Sequence, residues 1–282
     1  MYYGMIAGAV LLFGLQFQLN NKYQGLSGNT ADVSFLFSFI YSIAGGLFLF
    51  ALNGFSLGWT WFTVCMASAA AANSICYIFC SLKAFERISL SLYSLFAMLG
   101  GMLLPFLLGL VFFGEKLTVG KILCVGLIFL ALSLTVKEVK MKDGWIYYVG
   151  VFFLNGMAGV LSKLYGEAPF EKGSSAVYSI WIAICTALIS GVILLLMHKR
   201  IQKPARLATL CAAGYGACNS LGNYWLVAAL AFVPASVQYP FVTGGVIIVS
   251  VLFAAFSKQK PQKREYFATA ISFVGLLLLM LC

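Results

Sequence analysis

Long apolar runs, separated by short gaps of charged and turn residues, extend along the whole of this chain. A bilayer core of about 30 Å needs about 20 consecutive apolar residues for each spanning helix. The uncharged stretch 207–257 is too long for one span, and we divide it at Pro234 because proline ends or kinks a helix. The pattern therefore predicts ten transmembrane helices, over residues 3–19, 33–52, 59–82, 88–113, 117–136, 145–164, 174–197, 207–232, 234–256 and 266–281.

The composition excludes several classes of protein. Hydrophobic residues make up 62% of the 282 residues and charged residues only 9%, whereas typical soluble domains have about 45–50% and about 25%. So few charges cannot coat a water-soluble enzyme, and so apolar a chain is not disordered. The net charge of +10 lies in the gaps, where positive residues flank membrane helices. The lipid bilayer is therefore a predicted partner, and nucleic acid is not.

Cysteine and histidine provide no pattern typical of a metal site. The eight cysteines lie inside apolar runs, which favours thiols buried as small hydrophobes over disulfides. The single histidine is His198, and there is no Cys-x-x-Cys pair. We therefore expect no metal and no cofactor. The first apolar run has no basic segment before it, so we interpret it as a retained helix and not as a cleaved signal.

The two halves of the sequence share some residues at an offset of about half the chain length. The matches are Tyr2-Tyr3 with Tyr147-Tyr148, Gly14 with Gly159, Asn73-Ser74 with Asn219-Ser220, and Tyr93 with Tyr239. This offset predicts two five-helix halves, 1–141 and 142–282, in one integrated membrane domain. An odd number of helices per half would insert the second half upside down, as in many transporters. The predicted fold class is an all-α polytopic membrane protein with ten transmembrane helices in two inverted five-helix repeats.

Short motifs follow one another in a definite order. They are Ser81-Leu82-Lys83-Ala84-Phe85, Pro105, Gly114-Glu115-Lys116-Leu117-Thr118, Gly126, Ala228-Ala229-Leu230 and Pro234-Ala235-Ser236. In this order the chain resembles the EamA-type transporters of the drug/metabolite transporter superfamily. It departs from them at 257–261, which lacks the Gly-Glu pair, and at Phe13-Gly14, where that family often has Trp-Gly. The resemblance implies a transporter whose cavity is lined by the third, fourth, eighth and ninth helices.

The charged residues near the helix ends are expected to be structural. All eight acidic residues lie at predicted helix ends or in gaps, which gives no support to a carboxylate that exchanges protons inside the membrane. Glu115 is expected to cap a helix or to pair near Lys116 and Lys121. Lys163 is expected to snorkel from its helix end, although it is also the one cation that could reach a cavity.

Polar and aromatic residues at helical spacing form the candidate binding site. Residues three or four apart share a helix face, and a polar group in lipid must be satisfied by protein or water. For each residue, simple hydrogen bonding between packed helices stays open as an alternative. In the predicted site, amides bond the polar groups of a solute and rings cover its apolar or cationic part. The predicted substrate-binding residues are Asn73, Tyr77, Tyr93, Trp181, Asn219, Asn223 and Tyr239.

The sequence thus predicts a secondary transporter, not an enzyme, that moves a small organic metabolite by alternating access. One alternative is an aromatic cage for quaternary or lipophilic cations, built from Tyr77, Tyr93, Tyr178, Trp181 and Tyr239. A membrane-embedded enzyme is a remote alternative, because converging acids or histidines are missing. The expected location is a bacterial inner membrane. The substrate, the direction of transport, the coupling ion and the choice between monomer and homodimer stay open.

Two arguments about orientation disagree. Most of the 18 Lys and Arg residues lie in gaps that follow odd-numbered helices. Positive charge in short loops marks the cytoplasmic side, so this distribution predicts that both termini lie outside. The family resemblance implies the reverse orientation.

Overall fold

The computed structural model describes residues 2–28, 30–85, 90–135, 145–197, 204–256 and 263–281. Over these residues the chain is all-helical, which confirms the predicted all-α class for this part of the chain. The ten described helices are α1 (Tyr2–Ser27), α2 (Ala31–Leu52), α3 (Trp61–Phe85), α4 (Leu90–Phe112), α5 (Val119–Thr135), α6 (Trp145–Glu167), α7 (Ser175–Leu196), α8 (Arg206–Leu230), α9 (Ala235–Phe256) and α10 (Lys263–Leu281).

The helix boundaries agree with the predicted ones to within about one turn, except at the end of α1. There the apolar run ends at Leu19 but the helix continues to Ser27. Backbone hydrogen bonds, which do not require apolar side chains, hold a helix together. The polar extension is anchored by Tyr23, which is only 2% exposed and packs against Ala208 and Cys211 of α8. The predicted break at Pro234 is confirmed, since α9 begins at the next residue.

Six of the described helices are long and apolar enough to cross a membrane, which supports the coarse prediction of a membrane protein. They are Tyr2–Ser27, Ala31–Leu52, Trp61–Ala84, Ile146–Glu167, Ser175–Leu196 and Ala235–Phe253. Shorter apolar segments lie in α4, α5 and α10, at Phe96–Phe112, Val119–Leu134 and Tyr266–Leu279. The helix α8 is long enough but carries polar residues at Asn219, Ser220 and Asn223. Ten membrane crossings therefore stay a prediction.

The helices of the two sequence halves interleave. Helix α1 packs against α8 and α9, α2 against α7 and α8, α3 against α6 and α7, and α4 against α6 and α9. Helices α5 and α10 pack against each other, and the cluster around Met102, Ile128 and Leu276 joins them to α4 and α9. The halves thus do not form separate bodies, because the core lies between them.

Close helix crossings are made where glycines meet backbone. A Cβ atom on Gly216 of α8 would clash with the Tyr41 carbonyl of α2, and one on Gly45 of α2 would clash with Gly216 in turn. Likewise, a Cβ atom on Gly100 of α4 would clash with the Phe152 carbonyl of α6. At these crossings dispersion contacts between backbones replace the side-chain layer that separates most packed helices.

The described cysteines are free thiols. Cys124, Cys211 and Cys218 are buried, as predicted, whereas Cys65 and Cys76 are exposed on α3. An exposed thiol in an apolar helix is expected where that helix faces lipid, so burial within the protein was the wrong expectation for these two positions.

Candidate functional site

A cavity of about 670 Å³ lies between eight of the helices. Described residues of α1, α2, α3, α4, α6, α7, α8 and α9 line it, whereas none of those described in α5 or α10 does so. Its volume is within the range of small-molecule pockets, which is about 300–1,000 Å³. The interleaving of the two halves therefore leaves a space large enough for an organic solute.

The cavity extends along much of the bundle. At one end, which we call the open end, it is lined by Asn21 and Gly28, which are exposed near the end of α1, and by Ser81 near the end of α3. At the other end, which we call the closed end, it reaches Ser179 and Tyr239, each about one turn from the start of its helix. The open end therefore lies on the side of the α1–α2 and α3–α4 connections.

One wall of the cavity begins with a cluster of aromatic rings. The ring centroids of Phe37 and Tyr41, one turn apart on α2, are separated by 5.3 Å. The Tyr215 ring of α8 lies 4.8 Å from the first and 5.0 Å from the second. The amide Nε2 of Gln16 donates a hydrogen bond to the Tyr215 hydroxyl at 3.0 Å. The Gln16 Oε1 is buried and has no hydrogen-bond partner among the described residues.

Two further amides continue this wall along α8. Tyr215, Asn219 and Asn223 are four residues apart, so they share one face of the helix. The Asn223 Nδ2 donates to the Asn219 backbone oxygen at 2.8 Å and to its Oδ1 at 3.0 Å. We name this surface the aromatic–amide wall, formed by Gln16, Phe37, Tyr41, Tyr215, Asn219 and Asn223, all of which line the cavity.

The opposite wall is held by bonds between side chains and backbone. Asn155 of α6 donates through Nδ2 to the Ala97 carbonyl of α4 at 2.6 Å. Tyr239 of α9 donates its hydroxyl proton to the Gly159 carbonyl of α6 at 3.0 Å. A Cβ atom at Gly159 would approach the Tyr239 ring to 2.8 Å, so glycine is needed at this crossing. These contacts fix α4, α6 and α9 around the cavity.

The described lining residues include no Asp, Glu, Lys, Arg or His. Polar character comes instead from amides, hydroxyls and tyrosines, including Gln16, Asn20, Asn155, Asn219 and Thr243. No group of residues suited to holding a metal ion occurs in the part of the chain that the structure describes. The site can therefore form hydrogen bonds and stack rings, but these side chains supply no formal charge.

The closed end is held partly by Glu115, in the connection between α4 and α5. Its carboxylate accepts hydrogen bonds from the backbone N–H groups of Ala235 and Ser236, both at 2.8 Å. It therefore caps the N-terminus of α9, where the helix dipole favours negative charge. The expectation of a capping role is confirmed, although the pairing is with Lys163, at 3.4 Å.

The surroundings of Glu115 favour its charged form. Burial alone would raise its pKa, but the hydrogen bonds from Ser236 and Ala235 and the charge of Lys163 outweigh burial and lower the pKa below its ordinary value. Lys163 does not snorkel into solvent, because it is 4% exposed and also bonds Glu167 at 2.9 Å. The cluster thus joins α6, α9 and the α4–α5 connection.

A second network closes the same end beside α3 and α7. The Tyr165 hydroxyl donates to the Gly173 carbonyl at 2.6 Å and lies 3.1 Å from the Thr63 hydroxyl. The Gly173 N–H in turn donates to the Thr63 hydroxyl oxygen at 2.9 Å. These bonds join the start of α3, the end of α6 and the α6–α7 connection. Together with the contacts of Glu115, they connect the helices beyond Tyr239 at this end of the cavity.

Four of the predicted binding residues line the cavity: Tyr77, Asn219, Asn223 and Tyr239. Two others are not among its lining residues. Asn73 donates to the Leu154 carbonyl of α6 at 2.9 Å, and Trp181 donates to the Gly58 carbonyl at 2.9 Å. The side chain of Tyr93 lies outside the described residues. The structure thus brings together the α8 pair, Tyr77 and Tyr239, while the role of each in binding stays a prediction.

Sequence reasoning missed the contribution of α2. Phe37 and Tyr41 line the cavity, together with Ser34, Ser38 and Ser42. The three serines recur every four residues and so mark one polar stripe on an otherwise apolar helix. That spacing was the available signal, and it shows which face of α2 carries the two rings.

Comparisons with known proteins support the fold alone. No family model matches the chain, and no curated protein is similar to it. A solved structure described only as "Crystal structure of protein" is similar to this chain with a TM-score of 0.75 and 15% sequence identity. The similarity covers 97% of this chain and 94% of that chain.

Proposed function

We propose that this chain is a secondary transporter that moves a small organic solute across a membrane by alternating access. The observation that carries the proposal is the cavity, whose described lining residues come from eight helices and carry no charge, with hydrogen-bond networks that join the helices beyond one end. Alternating access requires a central site that is reached from one side at a time. The proposed activity involves no covalent step.

We further propose that the chain is built from two inverted five-helix repeats and crosses the membrane ten times, as in EamA-type transporters. The packing pattern supports this, because exchanging the halves converts the pair α1–α8 into α6–α3, α1–α9 into α6–α4, and α2–α8 into α7–α3. Three further pairs, α2–α7, α4–α9 and α5–α10, convert into themselves, whereas α9–α10 packs more extensively than its counterpart α4–α5. Such a pattern is expected when a two-fold axis relates the halves.

Individual contacts support the same relation. Gly14 of α1 faces α9, since a Cβ atom there would clash with the Val249 side chain. Gly159, its counterpart by the sequence offset, lies between α9 and α4, because a Cβ atom there would meet the Tyr239 ring at 2.8 Å and the Pro105 ring at 3.0 Å. Each glycine thus contacts the helix that the exchange of halves predicts, α9 for Gly14 and α4 for Gly159, and Gly159 also contacts α9.

The proposal is tested with purified protein in proteoliposomes. The vesicles are incubated with a defined mixture of uncharged, zwitterionic, cationic and anionic metabolites, and their contents are measured by mass spectrometry. We expect at least one solute to enter only when the protein is present, and Asn219→Ala to slow that entry about ten-fold or more. Gln18→Ala is the control, since Gln18 is not among the described lining residues. Absence of protein-dependent entry for every solute would refute the proposal.

A further inference from the structure

We infer that the aromatic–amide wall selects an uncharged solute that joins a flat ring to hydrogen-bonding groups. This inference rests on the proposed transport function and adds the class of substrate and its place of binding. The wall consists of Gln16, Phe37, Tyr41, Tyr215, Asn219 and Asn223.

The charge of the solute follows from the lining. Moving an ion out of water costs several kcal/mol unless a counter-charge meets it. The described lining residues supply none, and the charges beyond the closed end already pair with each other, Lys163 with Glu115 at 3.4 Å. A solute with a net charge would lose its hydration shell without compensation, whereas an uncharged solute loses far less.

The ring of the solute follows from the aromatic cluster. The Phe37, Tyr41 and Tyr215 rings lie within 5.3 Å of one another at interplanar angles of 56–64°. The rings therefore meet one another at steep angles, and all three residues border the cavity. Aromatic pairs favour offset-stacked and edge-to-face contacts over a perfect sandwich, so this surface suits a flat ring better than a branched aliphatic group.

The polar groups of the solute follow from the amides. The Gln16 Nε2 is occupied by Tyr215, and its Oε1 is shielded beside the cavity without a hydrogen-bond partner among the described residues, so a rotation of the side chain would bring it to a solute. On α8, the Asn223 Nδ2 is occupied by Asn219, and the described contacts leave the Asn219 Nδ2 and the Asn223 Oδ1 without a protein partner. A solute that offers an acceptor to the Asn219 Nδ2 and a donor to the Asn223 Oδ1 satisfies these two groups and gains the free energy of both hydrogen bonds.

A series of indoles that share one ring but differ in charge tests the inference. Tryptophol is uncharged, tryptamine is a cation, indole-3-acetate is an anion and tryptophan is a zwitterion. Each is titrated against the purified wild-type protein, with thermal unfolding as the readout of binding. We expect the apparent Kd of tryptophol to be at least about ten-fold lower than those of tryptamine and indole-3-acetate, because one unpaired charge costs more than the 1.4 kcal/mol that a ten-fold change represents.

A charge variant gives the sharper test. Gln16→Glu has nearly the same shape but puts a carboxylate where Oε1 lacks a donor, so we expect it to tighten tryptamine and weaken tryptophol, each by about ten-fold or more. Gln18→Glu makes the same change two residues further along α1, at a position outside the described lining, and should preserve the wild-type order. Asn219→Asp serves as a second cavity variant if Gln16→Glu does not fold.

Each contrary result overturns the inference. Wild-type protein that binds either singly charged indole as tightly as tryptophol refutes selection for an uncharged solute. No detectable binding of tryptophol at millimolar concentration refutes the proposed ring and donor recognition. Equal behaviour of the cavity variants and Gln18→Glu refutes the placement at the wall. Charged solutes that enter proteoliposomes would also refute the inference while leaving the transporter proposal standing, whereas binding without any transport would do the opposite.

Discussion

At the scale of single residues, the carboxylate of Glu115 holds parts of the chain that are far apart in sequence. It accepts two backbone hydrogen bonds from the start of α9, and it lies beside the buried Lys163 of α6. Each hydrogen bond to a charged group contributes about 1.5–3 kcal/mol to the stability of a folded protein. This one side chain therefore makes a measurable contribution to the stability of the closed end.

We predict that Glu115→Gln destabilises the protein by about 1–3 kcal/mol. The amide carries no charge and has one acceptor oxygen, whereas the carboxylate accepts the two backbone hydrogen bonds through two oxygens. The matched control is Glu171→Gln, since Glu171 is exposed in the α6–α7 connection. Thermal unfolding in detergent is the measurement. Equal unfolding temperatures for the two variants would contradict the capping role of Glu115.

The same carboxylate makes stability depend on pH. Its pKa is lower in the folded protein than in the unfolded chain, because the hydrogen bonds and Lys163 outweigh burial. Its contribution is therefore present at neutral pH and is lost as the pH falls through the folded pKa. We expect the difference in unfolding temperature between wild type and Glu115→Gln to stay constant from neutral pH down to about pH 4.5, the ordinary value of the carboxyl group, and to shrink as the pH falls further. A difference that grows on acidification would contradict this sign.

At the scale of helices, the sequence predicted the number and the length of the helices well. It predicted poorly which side of each helix faces the cavity. Apolar runs and charged gaps determine length, which is why all ten described helices were expected. The orientation of each helix about its own axis is harder to predict, because a helix that is apolar on all sides has no periodicity to show which side meets protein. Asn73 and Asn219 occupy related sequence positions, yet the first bonds the α6 backbone and the second lines the cavity.

We predict that Gly100→Ala destabilises the α4–α6 crossing by about 1–3 kcal/mol or more, because its methyl group would meet the backbone carbonyl of Phe152, which cannot rotate away. Gly126→Ala on α5 is the control: nothing lies within 4 Å of its added Cβ atom, and alanine favours a helix by about 1 kcal/mol. The unfolding temperature should fall below that of the wild type for Gly100→Ala and rise slightly above it for Gly126→Ala. Similar losses in both would show that the crossing is not tightly packed.

At the scale of the whole molecule, hydrogen-bond networks join the helices beyond one end of the cavity, and exposed residues border the other end. The networks around Glu115 and Tyr165 both lie at the closed end. If the protein alternates between two states, weakening these networks shifts the population toward the state in which that end is open.

We predict that Tyr165→Phe combined with Glu115→Gln lets a membrane-impermeant thiol reagent reach a cysteine at Ser162 from the closed end. Ser162 lines the cavity near that end. With Ser162→Cys alone, labelling should occur from the open end. The same variants without Ser162→Cys correct for the native cysteines. Labelling that is equal from both sides without the weakening changes would contradict closure.

The orientation of the chain in the membrane is also testable. The distribution of Lys and Arg predicts that both termini lie outside the cytoplasm. A reporter fused after Cys282, active on only one side of the membrane, measures this directly. Cytoplasmic activity would contradict the charge-based orientation and favour the one that the family resemblance implies.

The length of α1 has a consequence for how a solute would arrive. Its 26 residues span about 39 Å, whereas the hydrocarbon layer is about 30 Å thick. If the apolar part of α1 fills that layer, the excess belongs to the polar last turns, where Asn20, Asn21 and Gln24 border the cavity. In the proposed transporter, the entrance would then lie among lipid headgroups and not in bulk water. A ring-bearing solute concentrates in that layer by partitioning, so its apparent affinity will follow its partition coefficient as well as its fit to the site.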